Sequence, residues 1–208
     1  AAQILNVEPV MEFDLPFHDR RLHVRVARGR TPNGGTDTFI RDIVQPGEGS
    51  YYTKVLYDYR TPYNPVTWDE SSAFFCLATL VMHAKLEEQA FQADPSGWKP
   101  PIIHTNDSQT ALLNVYLFLA GDPRSPMLKQ LADEFPFILK LKKQALSAFT
   151  LHTYLNIQAY SNTEGGRNTV KWLTGITDES LLDELFLRVV TDGNGNRFEI
   201  LDIVAASA

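Results

Sequence analysis

The run Trp98-Lys-Pro-Pro-Ile-Ile-His-Thr-Asn-Asp-Ser-Gln-Thr-Ala-Leu-Leu-Asn-Val-Tyr-Leu117 admits few folds. It reads as a buried strand at Ile102-Ile103, a polar tip at His104-Thr105-Asn106-Asp107, and then an amphipathic helix. The helix carries Ala111, Leu112, Val115, Tyr116 and Leu119 at the spacing of one apolar face. A strand that turns directly into such a helix is the repeating unit of an open α/β sheet. In those sheets ligands bind just beyond the carboxyl ends of the strands. A His, an Asn and an Asp therefore stand where an α/β protein places its site.

A second strand end supports the same geometry. Ala148-Phe-Thr-Leu-His152 reads as another buried strand, ending in His152, Thr153 and Tyr154. In a parallel sheet both polar ends lie on one edge, so the two sets of side chains are expected to share one crevice. Between the strands, Pro126 to Ala145 is helical in pattern and should be split by Pro136. Ahead of them, Thr67-Trp-Asp-Glu70 matches a capping box and opens a helix to about Gln92. That helix is apolar at Phe74, Phe75, Leu77, Ala78 and Val81. Short buried strands alternating with amphipathic helices imply a mostly parallel sheet layered by helices.

The N-terminal region has a different texture. Arg21-Leu-His-Val-Arg-Val-Ala-Arg-Gly29 alternates with the period of a half-exposed strand, and Thr31-Pro-Asn-Gly-Gly35 is a turn signal. Asp37–Val44 and Tyr51–Tyr57 are further strand candidates, so these N-terminal strands are expected to be partly antiparallel. Residues 156–175 read as a polar, glycine-bearing loop. A capped helix is expected from Thr177 to Val190, and another starting at Arg197.

Composition narrows the function classes. The net charge of −6 is the wrong sign for a nucleic-acid binder. No window is long and apolar enough to span a membrane. Cys76, the single cysteine, sits in the apolar run Ala73-Phe-Phe-Cys-Leu77; it reads as a small core residue and fits a cytoplasmic origin. His104 and Asp107 have metal-ligand spacing but no convergent third group, so no metal site is expected; Asp107 alone also suits a helix N-cap. Asp192-Gly-Asn-Gly-Asn196 fails the calcium-loop pattern, with Arg197 in place of glycine and Ile203 in place of glutamate, and reads as a tight turn. No phosphate-loop, dinucleotide or nucleophile-elbow motif occurs, so no cofactor is expected.

With both strand ends in view, the chain resembles the N-terminal, acceptor-side domain of bacterial glycogen synthases and plant starch synthases. That family carries His-Ala-x-Asp-Trp-His-Thr-Ala-Leu followed by Tyr-Leu; here His104-Thr-Asn-Asp-Ser-Gln-Thr-Ala-Leu112 and Tyr116-Leu117 fit that frame. Its next strand ends Phe-Thr-x-His-Asn-Leu-x-x-Gln; here Phe149-Thr-Leu-His152 fits, followed by Thr153 and, after a longer spacer, Gln158. The aromatic loop Tyr57-Asp-Tyr-Arg-Thr-Pro-Tyr63 and the following helix keep the family's order. The resemblance spans roughly residues 20–160.

The resemblance implies an α/β, Rossmann-like three-layer domain, half of a GT-B fold. It also implies retaining transfer of glucose from a nucleotide-glucose donor (ADP- or UDP-glucose) to an α-1,4-glucan. It assigns His152 to the transferring glucose, Asp107 to a sugar near the reacting centre, and Tyr63 to a sugar face. His104, Asn106, Thr153 and Gln158 are implied as further substrate-binding residues. The family's Lys-x-Gly-Gly-Leu motif and its C-terminal Rossmann domain have no counterpart here, Trp-His is replaced by Ser108-Gln109, and the family Asn by Thr153. Residues 1–208 are thus expected to form one incomplete N-terminal domain, a fragment inactive alone. The competing expectation is a carbohydrate-binding α/β module without catalysis, using Tyr63, Trp68 or Trp98 as platforms. A weaker one is a small hydrolase with His152 and Asp107 as an acid–base pair. The fragment reading alone predicts an exposed apolar face.

Overall fold

A computed structural model describes residues 5–31, 33–43, 65–106, 108–150, 162–186, 188–191 and 197–200. Strands β1 (Leu5–Phe17), β2 (Arg20–Arg30) and β3 (Thr36–Ile43) form an antiparallel meander. β1 and β2 are joined by the two residues His18 and Asp19, with His18 at φ 55°. Two-residue hairpins need left-handed backbone, and histidine is among the few side chains that enter it readily. Between β2 and β3 the turn closes through Gly34 N–H donating to the Thr31 carbonyl at 2.9 Å; Gly34 takes φ 85°. β2 keeps the expected alternation, with Val24 and Val26 fully buried and Arg21, His23 and Arg25 exposed.

Helix α1 (Pro65–Ala93) begins two residues before the expected capping box, so Thr67 lies inside the first turn. Proline suits that position because its missing N–H is unsatisfied there in any case. From Ser71 to Met82 the helix is buried nearly all round, Cys76 included, and Phe74 meets the Phe17 ring edge-on at 6.5 Å. Within α1 the chain divides into two compact units, Ala1–Met82 and His83–Ala208.

The second unit contains the only parallel pairing among the described residues, β4 (Ile102–Asn106) with β5 (Leu146–Thr150). Helices α2 (Ser108–Leu119), α3 (Pro126–Glu134) and α4 (Phe137–Gln144) lie between them in the chain, with α3 and α4 split at Pro136 as its ring demands. The core carries Ile103, Leu112, Val115, Tyr116, Leu128, Leu131, Ile138 and Leu141, all nine-tenths buried or more. The Tyr116 hydroxyl donates to the Leu173 carbonyl at 2.9 Å, satisfying its one polar atom.

Among the described residues the parallel part of the expected sheet is the β4–β5 pair, and the N-terminal strands are antiparallel, as is the β6–β7 pair. Three sequence expectations are corrected. Residues expected as loop contain α5 (Glu164–Thr174), which Thr163 caps by accepting from Gly166 N–H and Gly175 ends at φ 68°. The helix expected to reach Val190 is α6 (Glu179–Leu185), capped by Asp178, after which the chain becomes β6 (Arg188–Thr191). The segment expected to start a helix at Arg197 is β7 (Arg197–Ile200), antiparallel to β6. Val189, Val190 and Thr191 are β-branched and favour that pairing; residues 192–196, the expected turn, lie outside the described residues.

Candidate functional site

β4 and β5 run in register from Ile102↔Leu146 to Asn106↔Thr150, so their carboxyl ends finish side by side. On one face of this pair the β4 side chains Ile103 and Thr105 are buried, although Ser147 beside Ile103 is exposed. The other face carries Ile102, His104 and Asn106, all exposed. The expectation that Ile102 lies buried is therefore corrected, since it is 68% exposed, and its direct partner Leu146 is 66% exposed. Parallel strands ordinarily have both faces covered.

His104 Nε2 lies 2.6 Å from the Thr150 hydroxyl, tying the two strands across their open face. Asn106 ends β4 and is held by Thr110. That hydroxyl accepts from the Asn106 N–H and donates to the Asn106 carbonyl, both at 2.7 Å. The contact fixes how the strand turns into α2. Below it, Asn114 of α2 donates through Nδ2 to the Thr105 hydroxyl at 2.8 Å, and Thr105 donates on to the Ala148 carbonyl at 3.4 Å. Helix, strand and neighbouring strand are thus linked by one buried side chain.

The structure brings His104, Asn106 and Thr150 to one edge. Thr150, Thr110 and the Thr105–Asn114 pair are absent from the sequence-derived site; Thr150 sits in the Phe-Thr motif that signalled β5, Thr110 in the Thr-Ala-Leu part of the first motif and Thr105 in the polar tip, whereas Asn114 carried no signal. Asp107, His152, Thr153, Gln158 and Tyr63 lie outside the described residues. In sequence, Asp107 directly follows Asn106 and His152 follows Thr150 by two positions, so both continue from paired strand ends.

Among the described residues no three His, Cys, Asp or Glu side chains gather as a metal site requires, and no helix is long and apolar enough to cross a membrane. The Trp68 side chain lies outside the described set. Trp98 packs edge-on against Phe91 at 5.7 Å and Phe137 at 5.8 Å, and its Nε1–H donates to Glu87 at 2.8 Å. The Lys140 ammonium stands 3.1 Å from the Phe91 ring centre and 4.8 Å from that of Trp98. These cation–π contacts give Trp98 a packing role rather than that of a free sugar platform.

Three comparisons with known proteins bear on this arrangement. The family model described as starch synthase catalytic domain matches residues 3–133, more than half of the chain and including β4 and all of α2. A solved structure, the catalytic domain of Starch Synthase IV from Arabidopsis thaliana bound to ADP and acarbose, superposes with a TM-score of 0.53 at 17% identity. The match takes in 98% of this chain and 32% of that one, so the chain spans about a third of its length. It shows that the chain shares the α/β fold of part of that GT-B catalytic domain. Curated protein sequences give no match.

Proposed function

The chain belongs to the starch synthase catalytic domain family, and on that premise we propose that it is acceptor-side machinery of a retaining glucosyltransferase. The reaction moves glucose from a nucleotide-glucose onto the end of an α-1,4-glucan. The observation that carries this reading is the family match running through the β4–α2 junction, whose paired strand end presents His104, Asn106 and Thr150 to one edge. The ADP and acarbose in the Arabidopsis structure agree with a nucleotide-sugar donor and a glucan-like acceptor.

In this reading His152 lies against the transferring glucose and organises the transition state. Asp107 contacts a sugar near the reacting carbon or holds the loop that does. Tyr63 offers a ring face; Thr153 and Gln158 complete the sugar contacts. His104 is oriented by Thr150, and Asn106 is held in place through Thr110. Transfer needs a donor-gripping second domain that closes and excludes water, so residues 1–208 alone are inactive in this reading. The exposed Ile102–Leu146 pair supports it, because an apolar cross-strand pair on a parallel sheet calls for a covering element.

The test is glucosyl transfer from ADP- and UDP-glucose to glycogen by the product of the full reading frame. His152→Ala is expected to abolish transfer while leaving folding intact. Undiminished transfer in that variant removes His152 from the site. No transfer by the full product, with retained glucan binding, leaves the non-catalytic module.

A further inference from the structure

β2 carries five arginines in eleven residues within a chain of net charge −6. Two of them, Arg28 and Arg30, stand together at the β3-turn end of the strand. β2 pairs with β3 without a register break from His23↔Ile43 to Arg30↔Thr36, so its alternation is continuous along that edge. Positions 24 and 26 are the buried valines of the core face, and 28 and 30 continue the same row. Arg28 and Arg30 therefore extend the inward face of the meander beyond the point where its apolar side chains end. Across the ladder, Ile40 opposite Val26 gives way to Thr38 opposite Arg28 and Thr36 opposite Arg30.

The other neighbour strand is irregular at the same level. β1 shifts register between Pro9 and Met11, leaving Val10 as the extra residue. Counted back from Glu12 and Asp14 on the outer face, Glu8 would also point outward. The bulge moves it to the inner face, directly opposite Arg28. Bulges that re-aim one side chain are typical of functional edges. The result is a pocket of about 460 Å³ lined by Glu8, Arg28, Gly29, Arg30 and Thr36. No ion pair or side-chain hydrogen bond engages Arg28 or Arg30 among the described residues, whereas Arg25, on the outer face, is bound by Glu12 at 2.5 Å.

We propose that this pocket binds the phosphate group of a small hydroxylated phosphomonoester. Arg28 and Arg30 stand two residues apart on one strand face, roughly 6.5 Å, a span that two flexible guanidinium forks close around one phosphate. The Thr36 hydroxyl supplies a further donor. Glu8 has no use for the phosphate; a carboxylate at the rim accepts from ligand hydroxyls, which selects an ester over the free anion. The proposal rests on β1–β3 alone and holds whether or not the chain takes part in glucosyl transfer.

The experiment is an NMR titration of the 208-residue chain, following the Gly29 amide and the arginine Nε–H signals. The probes are inorganic phosphate and glycerophosphate, with sodium chloride at matched ionic strength as control. Saturable shifts with a Kd on the order of a millimolar or tighter are expected for both, with glycerophosphate the tighter. R28Q/R30Q is expected to weaken both by at least about tenfold, and Glu8→Gln to remove the preference for the ester alone. Thr36→Glu is a second block that leaves the arginines in place, and an unchanged amide spectrum elsewhere checks folding. Equal shifts with chloride, phosphate binding unaltered in R28Q/R30Q, or no binding to the intact chain overturns the proposal.

Discussion

Thr105→Val is expected to be costly alone and largely rescued by Asn114→Leu. Thr105 and Asn114 are 3% and 2% exposed, so water does not replace a lost partner at either. Valine keeps the shape of threonine but removes the oxygen that accepts from Asn114 Nδ2 at 2.8 Å. The amide is then buried without an acceptor, which costs about 1–3 kcal/mol. For a chain of this size that is a fall in melting temperature of roughly 2–12 °C. Asn114→Leu alone is milder: Thr105 keeps the Ala148 carbonyl at 3.4 Å, and Asn114 Oδ1 has no partner among the described residues to lose. In the double variant both buried polar groups are gone and their volumes nearly kept, so stability returns to within about 1 kcal/mol of the parent. Urea and thermal unfolding of the four proteins close the cycle. A double variant as unstable as the sum of the singles refutes the reasoning, because the pair would then contribute shape and not a shared hydrogen bond.

Gly175→Ala is expected to destabilise by roughly 1–3 kcal/mol from the left-handed backbone alone, and by more because a Cβ there would lie 2.6 Å from the Met127 Cβ, which is no flexible chain end; thermal melts of the variant check it. His23 is expected to titrate above a free histidine in an NMR pH series, because its hydrogen bond to Asp14 at 2.8 Å, and next that to Glu12 at 3.1 Å, favour the imidazolium. Since the folded value is the raised one, the stabilisation is fully present below the unfolded pKa of about 6.5 and fades as pH rises through the folded value. Asp14→Asn is expected to move the His23 titration back down, and an unmoved titration assigns the shift elsewhere.

Elements with long periodicity or hard punctuation were legible in the sequence. The β2 alternation, the Thr31–Gly35 turn, the apolar body of α1 and the break at Pro136 each follow from local sterics or a repeating pattern, and each is present. The β4–α2 unit was equally plain, and the expected parallel neighbourhood of the two strands is present as far as Asn106↔Thr150, while Asp107, His152 and Thr153 lie outside the described residues. Where the pattern was short, long-range pairing decided the outcome. Gly165 and Gly166 hid α5, although Thr163, Val170 and Leu173 supply its cap and buried side. Val189-Val190-Thr191 extends a helical count from Leu181 just as readily as it forms a strand, and only its partner β7 settles the choice. At the site, Thr105–Asn114 is invisible to periodicity because it joins a strand to a helix across their connection.

The parallel pairing also has a kinetic consequence. β1 meets β2 through a two-residue turn, so that hairpin closes at little entropic cost. His104 and Thr150, by contrast, meet across forty-six positions of chain. Their strands are joined only after α2, α3 and α4 have condensed between them, and contacts of such high sequence separation form slowly. The edge holding the candidate site is therefore expected to be among the last parts of the chain to assemble. Until it does, Ile102 and Leu146 belong to unpaired strands, and that interval is when this sequence is most exposed to association with other chains.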